Sequence, residues 1–338
     1  MKEPAGMTSG KEKYRQILGI LKPFCRKDIS KAISQVAIAF VSIIGLVIIN
    51  YFLYDLSPWL TLGITPLITA FLCRSFVIVH DCGHQSLFQS RKVNSVIGNL
   101  FGIFSAIPYH MWQFIHDSHH ANVGNLDKRD LNPDLWTMTV KEYNEAGVIK
   151  KAVYRHIRSR ASRLIFAPII LPVLFRLPNP KQNRQAMISV LGYDIFYLVA
   201  LYFLMQIMSP VKLLVIYGLP LYLFWVVASY VLYAQHQFED TYWEKQENWT
   251  YEEATLNGAT YLTSPRWFAW MTGNVGYHNI HHLIAAIPNY NLAKAQEAIN
   301  GVLQFKPISI FSIYGLLDYK LWDEEKKKLV PFPIKRGR

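Results

Sequence analysis

Apolar residues in this chain are massed into long uncharged runs instead of recurring at a helical or strand period. No charged residue occurs in 32–54 or in 56–73. A helix needs about 20 apolar residues to cross a bilayer, so each run is long enough or nearly so. Asp55 and Pro58 mark a short turn between the runs. The pattern therefore predicts two membrane-spanning helices joined as a hairpin.

A second pair of apolar runs lies in the other half of the chain and is joined by the turn 209–212. Two shorter runs, 97–111 and 164–175, are too short to span and are predicted to lie in the membrane interface or to cap a site. The sequence thus predicts an all-α membrane protein with two helical hairpins. The four predicted spans are about 32–54, 56–79, 186–208 and 213–236.

The distribution of positive charge predicts the orientation of these spans. Residues 1–31 carry eight Lys or Arg and 141–184 carry ten, whereas the two hairpin turns together carry only Lys212. Loops rich in Lys and Arg stay in the cytoplasm. We therefore expect a basic cytoplasmic segment at 1–31, a membrane domain at 32–295 and a cytoplasmic segment at 296–338. The helical cap between the hairpins is expected on the cytoplasmic side as well.

Composition agrees with a chain that combines apolar membrane spans with polar, basic segments. Hydrophobic residues make up 51% of it, yet the mean hydropathy is only +0.13 and the net charge is +12. These values exclude a disordered or fibrous chain. The three cysteines, Cys25, Cys73 and Cys82, form neither a CxxC pair nor an even disulfide set, which predicts a reducing environment. No nucleic-acid recognition motif accompanies the positive charge, so no nucleic-acid partner is expected.

Histidine is the residue that indicates chemistry. Eight of the 11 histidines fall in three five-residue windows, 80–84, 116–120 and 278–282. Spacings of three and four residues place side chains on one face of a helix. Eight imidazoles exceed the four ligands of a closed zinc site, so two metal ions or two coordination spheres are predicted. The predicted ligands are His80, His84, His116, His119, His120, His278, His281 and His282.

A ninth histidine, His236, ends the fourth predicted span, just as His80 follows the second. Both spans would deliver a ligand to the same membrane boundary, so His236 is also predicted to bind metal. His110 and His156 have no partner at helical spacing and are predicted not to bind.

Three charged residues lie near the windows, and two of them have two interpretations each. Asp81 and Asp117 follow the first histidine of a window and could orient a ligand ring or cap a helix. Arg74 is interpreted as a snorkelling residue near the membrane interface.

The residues themselves leave several functions open. The spacing of His80 and His84 with Asp81 between them superficially matches the HExxH pattern of zinc proteases, but the remaining histidines would then have no role. A metal transporter would carry more ionisable residues within its spans than Arg74 and Asp194.

The windows in context resemble a known family. Residues 80–88 read His-Asp-Cys-Gly-His-Gln-Ser-Leu-Phe, and 273–282 read Gly-Asn-Val-Gly-Tyr-His-Asn-Ile-His-His. With the His-Asp-Ser-His-His of 116–120, they resemble the three histidine boxes of membrane fatty acid desaturases, especially the acyl-lipid group of bacteria and plastids. The resemblance covers about 32–295 and includes the segments 136–143 and 287–292.

The resemblance implies four spanning helices, a cytoplasmic cap and two iron ions that cycle between Fe²⁺ and Fe³⁺ while activating dioxygen. It also implies an acyl-lipid substrate, a cis double bond as product, and a ferredoxin, flavodoxin or cytochrome b5-like electron donor. The bacterial plasma membrane is the location implied. The eight box histidines would be the iron ligands, and His236 matches an additional family histidine.

Two positions depart from relatives within the superfamily. Leu232 stands where acyl-CoA desaturases carry an Asn that holds a water, and Asn279 occupies a position where close relatives often have a histidine. Hydroxylases and ketolases share the boxes, so the residues alone do not select desaturation.

A basic strip beside the second short apolar run suggests a partner surface. Its residues are Arg155, Arg158, Arg160 and Arg163. Anionic membrane lipids are the first interpretation, and an acidic electron donor is the second.

Overall fold

Four long apolar helices dominate the structure, a computed structural model that describes residues 10–129, 136–177 and 183–333. The helices that are long and apolar enough to cross a membrane are Ile29–Leu56, Leu60–Gly83, Arg184–Ile207 and Pro210–His236. The prediction of a four-span helical fold is thereby confirmed. Its sidedness and its division at 31/32 and 295/296 stay predictions.

The first hairpin consists of α2 (Ile29–Leu56) and α3 (Leu60–Gly83). Asp28 caps α2 by accepting from the backbone N–H of Lys31 at 3.1 Å. α3 does not end with its uncharged run at residue 73 but continues for almost three further turns. It can do so because Arg74 is buried and donates to Gln35 Oε1 of α2 at 3.1 Å. Arg74 is therefore a buried contact between helices, and its interpretation as a snorkelling residue was wrong.

The second hairpin consists of α10 (Arg184–Ile207), α11 (Pro210–Leu213), a π-helical turn (Leu214–Gly218) and α12 (Leu219–His236). α12 packs against α3, whereas α10 exposes apolar side chains along most of its length. At the turn end of the bundle, Lys212 Nζ lies 2.7 Å from both carboxylate oxygens of Asp55. This ion pair joins the two hairpins at the end opposite the histidines.

The first short apolar run is broken into two helices, α4 (Arg91–Ser105) and α5 (Tyr109–Asn122). Ala106 takes a left-handed conformation (φ 57°), and Pro108 precedes α5, so one continuous helix over 97–111 does not form. The two helices cross closely because Gly98 has no side chain: a Cβ there would lie 2.2 Å from the ring of Tyr109. α5 carries the second histidine window.

Short helices connect the hairpins: α6 (Val140–Glu145), α7 (Val148–Ile157), α8 (Arg160–Ile165) and α9 (Ala167–Leu174). α9 holds most of the second short run. Its outer face exposes Ile169, Ile170 and Val173, whereas Leu171 is buried against the bundle.

The rest of the cap follows α12. It comprises α13 (Tyr251–Asn257), β1 (Tyr261–Thr263), α14 (Arg266–Met271), α15 (His278–Leu283), α16 (Leu292–Ile299), β2 (Pro307–Ser309), α17 (Ile313–Leu316), β3 (Leu321–Asp323) and β4 (Lys328–Val330). β1 and β2 pair in parallel, and β3 and β4 pair antiparallel. The N-terminal helix α1 (Gly10–Leu21) packs through Ile17 and Leu21 against Ala295 and Ile299 of α16.

Candidate metal centre

Four helices bring the predicted histidines together. His80 lies in the last turn of α3, and His84 is its C-cap residue. α5 carries the second window, the short helix α15 carries the third, and His236 is the last residue of α12. All nine predicted ligands meet in one buried region, where their imidazoles form two groups. Their role as metal ligands stays a prediction.

The first cluster contains five histidines from three helices: His80, His84, His116, His120 and His281. Four of them, His80, His84, His116 and His281, each offer a nitrogen within 4.8 Å of the other three. Nε2 of His281 lies 3.1 Å from Nε2 of His80 and 2.8 Å from Nε2 of His120. Nε2 of His120 also lies 3.2 Å from that of His116.

The second cluster contains His119, His236, His278 and His282, all buried. Their Nε2 atoms form a closed ring. The sides of this ring are 3.1 Å (His119 to His236), 2.9 Å (His236 to His278), 3.0 Å (His278 to His282) and 3.3 Å (His282 to His119).

The windows divide between the clusters in a regular way. In α5, His116 and His120 enter the first cluster and His119 enters the second; in α15, His278 and His282 enter the second and His281 enters the first. Residues four apart lie about 40° apart around a helix, whereas adjacent residues lie about 100° apart. The expectation that each window points in one direction therefore holds for histidines four residues apart. In the second and third windows, the remaining histidine points into the other cluster.

The nitrogen spacing fits metal ions. Imidazole binds first-row metals at about 2.0–2.1 Å, so two nitrogens on the same ion lie about 2.8–3.4 Å apart, at right or tetrahedral angles. The second cluster has ring sides of 2.9–3.3 Å, which suit one ion at its centre. Nε2 of His84 is buried and has no hydrogen-bond partner among the described residues. A donor set made only of imidazole suits iron, zinc, copper or nickel.

Outer contacts fix the orientation of two rings. Nδ1 of His80 donates to Oδ1 of Asp81 at 3.2 Å, and Oδ2 of Asp81 accepts from the backbone and side-chain N–H of Asn289, both at 2.8 Å. Nδ1 of His236 donates to the carbonyl of Gly258 at 2.8 Å. Because each Nδ1 carries the proton, each Nε2 keeps its lone pair for the cluster.

Asp117 does not share the role of Asp81. It is exposed on the outer side of α5, where it lines a separate polar cavity with His110 and Gln113. Of the two aspartates that could have oriented a ligand ring, only Asp81 contacts one.

The two histidines predicted not to bind lie outside both clusters. Nε2 of His110 lies 3.2 Å from Ser95 Oγ and 3.3 Å from Asn99 Nδ2. The ring of His156 packs against Phe166. Asn279 faces away from the clusters and donates to Gln296 Oε1 at 2.7 Å.

The basic strip is mostly not a surface. Arg158 and Arg163 are buried, with guanidinium carbons 4.9 Å and 3.9 Å from the ring of Tyr233. Arg160 forms an ion pair with Asp318. The sequence did not reveal this arrangement because the aromatic partner comes from α12, about 70 residues away.

Sequence reasoning missed Asn289 and Gly258, the outer partners of the centre. Asn289 lies within the segment 287–292, which contributed to the family resemblance. The resemblance marked this segment but assigned no role to Asn289. Gly258 acts through its backbone carbonyl, which no side-chain pattern can indicate.

Burial keeps the three histidines of α15 neutral. Removal from water, reinforced by neighbouring imidazoles, holds the pKa values of His278, His281 and His282 well below their usual range. Neutral imidazole is the form that binds metal.

We therefore expect the metal-free protein to lose stability as pH falls below about 6.5, the pKa of histidine in an unfolded chain. The unfolded chain then binds protons that the folded cluster does not, so acid favours unfolding. Thermal unfolding of the chelator-treated protein in detergent should show a lower midpoint at pH 5.5 than at pH 7.5. Equal midpoints would show that these histidines are already protonated in the fold or contribute nothing to its pH dependence.

An apolar cavity adjoins both clusters. Aromatic and aliphatic side chains of four helices line it: Phe76, Trp112, Ile115, Leu171, Leu174, Phe175 and Leu232. His80 and His116 of the first cluster and His119, His236 and His278 of the second also border it. The second short apolar run, 164–175, was predicted either to lie in the membrane interface or to cap a site. Through α9 it covers this cavity, which agrees with the second of these roles. Leu232 contributes an apolar wall where acyl-CoA desaturases have an Asn.

Comparison with known proteins agrees with this geometry. The family model described as fatty acid desaturase matches residues 57–314. A protein of Bacillus subtilis named fatty acid desaturase is 33% identical over 322 residues, covering 95% of this chain and 91% of the relative. The sn-1 oleoyl-lipid 12-desaturase of a Picosynechococcus species is 29% identical over 276 residues, covering 80% and 76%.

A plant relative carries an electron donor in its name. It is the temperature-sensitive sn-2 acyl-lipid omega-3 desaturase (ferredoxin) of Arabidopsis thaliana, 28% identical over 256 residues, covering 68% of this chain and 54% of the relative. The resemblance predicted from the histidine boxes is confirmed. The chain belongs to the fatty acid desaturase family and is an oxygen-dependent oxidoreductase with four membrane helices.

Proposed function

We propose that this desaturase inserts a cis double bond into an acyl chain of a membrane lipid, using two irons held by the nine clustered histidines. The observation that carries the proposal is the apolar cavity that runs up to both histidine clusters. Relatives whose names specify acyl-lipid substrates support the lipid carrier.

The residues around the cavity have distinct tasks. Phe76, Trp112, Leu171 and Leu174 bind methylene groups and exclude water from the reacting segment. Bordering histidines place that segment beside the metal positions. Asp81 and the Gly258 carbonyl hold two of the imidazole rings in place, so that donor positions do not change during turnover.

The overall reaction balances without a group from the protein being consumed. One –CH2–CH2– unit, O2, two electrons and two protons give one –CH=CH– unit and two molecules of water. The irons, when bound, supply the activation of dioxygen with electrons from an external donor. We propose ferredoxin as that donor, with flavodoxin or a cytochrome b5-like protein as alternatives, and an active site on the cytoplasmic side.

Expression in a bacterial host that lacks desaturases tests the proposal. Gas chromatography of fatty acid methyl esters from host lipids should show a new cis-unsaturated species, and the purified protein should hold about two irons per chain. A hydroxylated or oxo product would assign the chain to a sister activity instead. Stoichiometric zinc without iron would overturn the assignment of the metal.

A further inference from the structure

Four of the large aromatic side chains that are exposed on the cap lie in or beside α14 and α17. They are Trp267 (67% exposed) and Trp270 (47%) of α14, Phe311 (81%), and Tyr314 (58%) of α17. We call this set the aromatic shelf. Exposed aromatic residues grouped in this way mark an interaction surface.

The parallel pairing of β1 and β2 brings the shelf residues to one edge of the cap. Thr263 at the end of β1 pairs with Ser309 at the end of β2. Because the strands are parallel, the chain leaves both in the same direction. Trp267 follows four residues after Thr263, and Phe311 follows two residues after Ser309.

Contacts with the spanning helices fix the level of the shelf. The backbone carbonyl of Trp270 accepts from Arg74 of α3, whose guanidinium carbon lies 4.4 Å from the Trp270 ring centre. Arg74 precedes His80 by six residues, which corresponds to about 9 Å along a helix. The shelf therefore meets α3 on the membrane side of the histidines.

A second, independent contact also lies on the membrane side of the histidines. Ile313 and Leu316 of α17 pack in one apolar cluster with Tyr230 and Ala234 of α12. Tyr230 precedes His236 by six residues, again about 9 Å. α17 thus contacts α12 two to six residues before His236, and α14 contacts α3 six residues before His80, so both contacts lie on the membrane side of the clusters.

We infer that the aromatic shelf rests in the headgroup zone of the bilayer and supports this side of the cap. The shelf continues the lipid-facing surface of α3, since Phe71 and Trp270 are in edge-to-face contact at 6.3 Å. Trp and Tyr favour the membrane–water interface because their rings combine an apolar body with a polar group. Two cations flank the shelf: Arg266 of α14 is exposed, and Arg160 lies 4.0 Å from the Tyr314 ring centre.

This seating has a consequence for the metal centre. The histidine clusters lie about 9 Å above the shelf, outside the hydrocarbon. The segment between α14 and α15 passes through Gly273, whose φ of 54° and close approach to Val77 leave no room for a side chain. The third histidine window is thereby tied through six residues, 272–277, to a helix that rests on lipid.

Spin labels at single cysteines test the inference. Phe311→Cys and Trp267→Cys would each be labelled in the full-length protein after Cys25 and Cys73 are replaced by Ser, in nanodiscs of phosphatidylcholine and phosphatidylglycerol. Collisions with oxygen, which enters the bilayer, are compared with collisions with a neutral nickel chelate, which stays in water. We expect an oxygen-to-nickel ratio several-fold higher at both positions than at the control.

Glu247→Cys is the matched control, because Glu247 is exposed and its segment pairs through Glu244 with Gly124 and Leu126, which follow α5. If labels at positions 311 and 267 are as accessible to the nickel chelate as the label at 247, the shelf faces water and the inference is wrong. A label-free measurement covers the case in which a cysteine variant fails to fold. Lipids brominated near the glycerol backbone should quench the tryptophan fluorescence of the parent protein more strongly than that of the Trp267→Phe variant. Equal quenching of the two proteins would contradict the inference.

Discussion

Replacing His281 by Ala is expected to abolish formation of the unsaturated product. His281 is buried and its Nε2 lies within 3.1 Å of two other imidazole nitrogens, so its loss removes a shared donor from the first cluster. Loss of an outer partner alone costs about 10–100-fold in metal affinity or activity, and loss of a ligand costs more. Fatty acid methyl ester analysis and iron content per chain measure the effect, while the amount of protein in the membrane fraction reports insertion.

His156→Ala is the control for histidine loss as such. This ring is exposed on α7 and contacts Phe166 without reaching either cluster. The variant should match the parent in product and in iron. If His281→Ala retained both, the first cluster would not be the metal site.

The sequence predicted well the spans and which histidines lie together, because both are local signals. A run of apolar residues needs no distant partner to be recognised, and spacings of three and four residues follow from the helix itself. Local spacing could not predict that the neighbours His119 and His120 enter different clusters, or that His281 and His282 do so. That division depends on how α3, α5, α12 and α15 are placed around one centre.

The two errors about charged residues share a physical cause. Arg74 and Arg158 were interpreted from their neighbours along the chain, which suggested that both charges reach the surface of the protein. In the fold, each guanidinium is buried against an aromatic ring from a distant element, Trp270 and Tyr233 respectively. Cations can be buried in this way because the ring face and nearby amide oxygens replace part of their hydration. No pattern within one helix indicates such a partner.

Asp81 is different, since the sequence placed it correctly beside a ligand while leaving its role open. Its two carboxylate oxygens accept three hydrogen bonds, one from His80 and two from Asn289. The contact with Asn289 joins residues that are 208 positions apart, and it links the first window to the segment that follows the third. Asp81 is thus a positioning residue for the centre.

Asp81→Asn is accordingly expected to lower metal affinity by about 10–100-fold, with a corresponding loss of product. An amide has one acceptor oxygen, so its NH2 group must face a donor from either His80 or Asn289. Iron retained against increasing chelator measures the affinity. Because all nine histidines remain, added ferrous iron should restore much of the activity, as it would not for His281→Ala.

Asp117→Asn is the matched control, since Asp117 holds the same place after the first histidine of its window but is exposed. It should retain iron and activity at parent levels. Similar losses in both variants would show that the charge near the boxes matters and that the specific contacts of Asp81 do not. A loss in Asp81→Asn that iron cannot relieve would place the defect in folding, because a weakened but intact site must refill when the metal concentration rises.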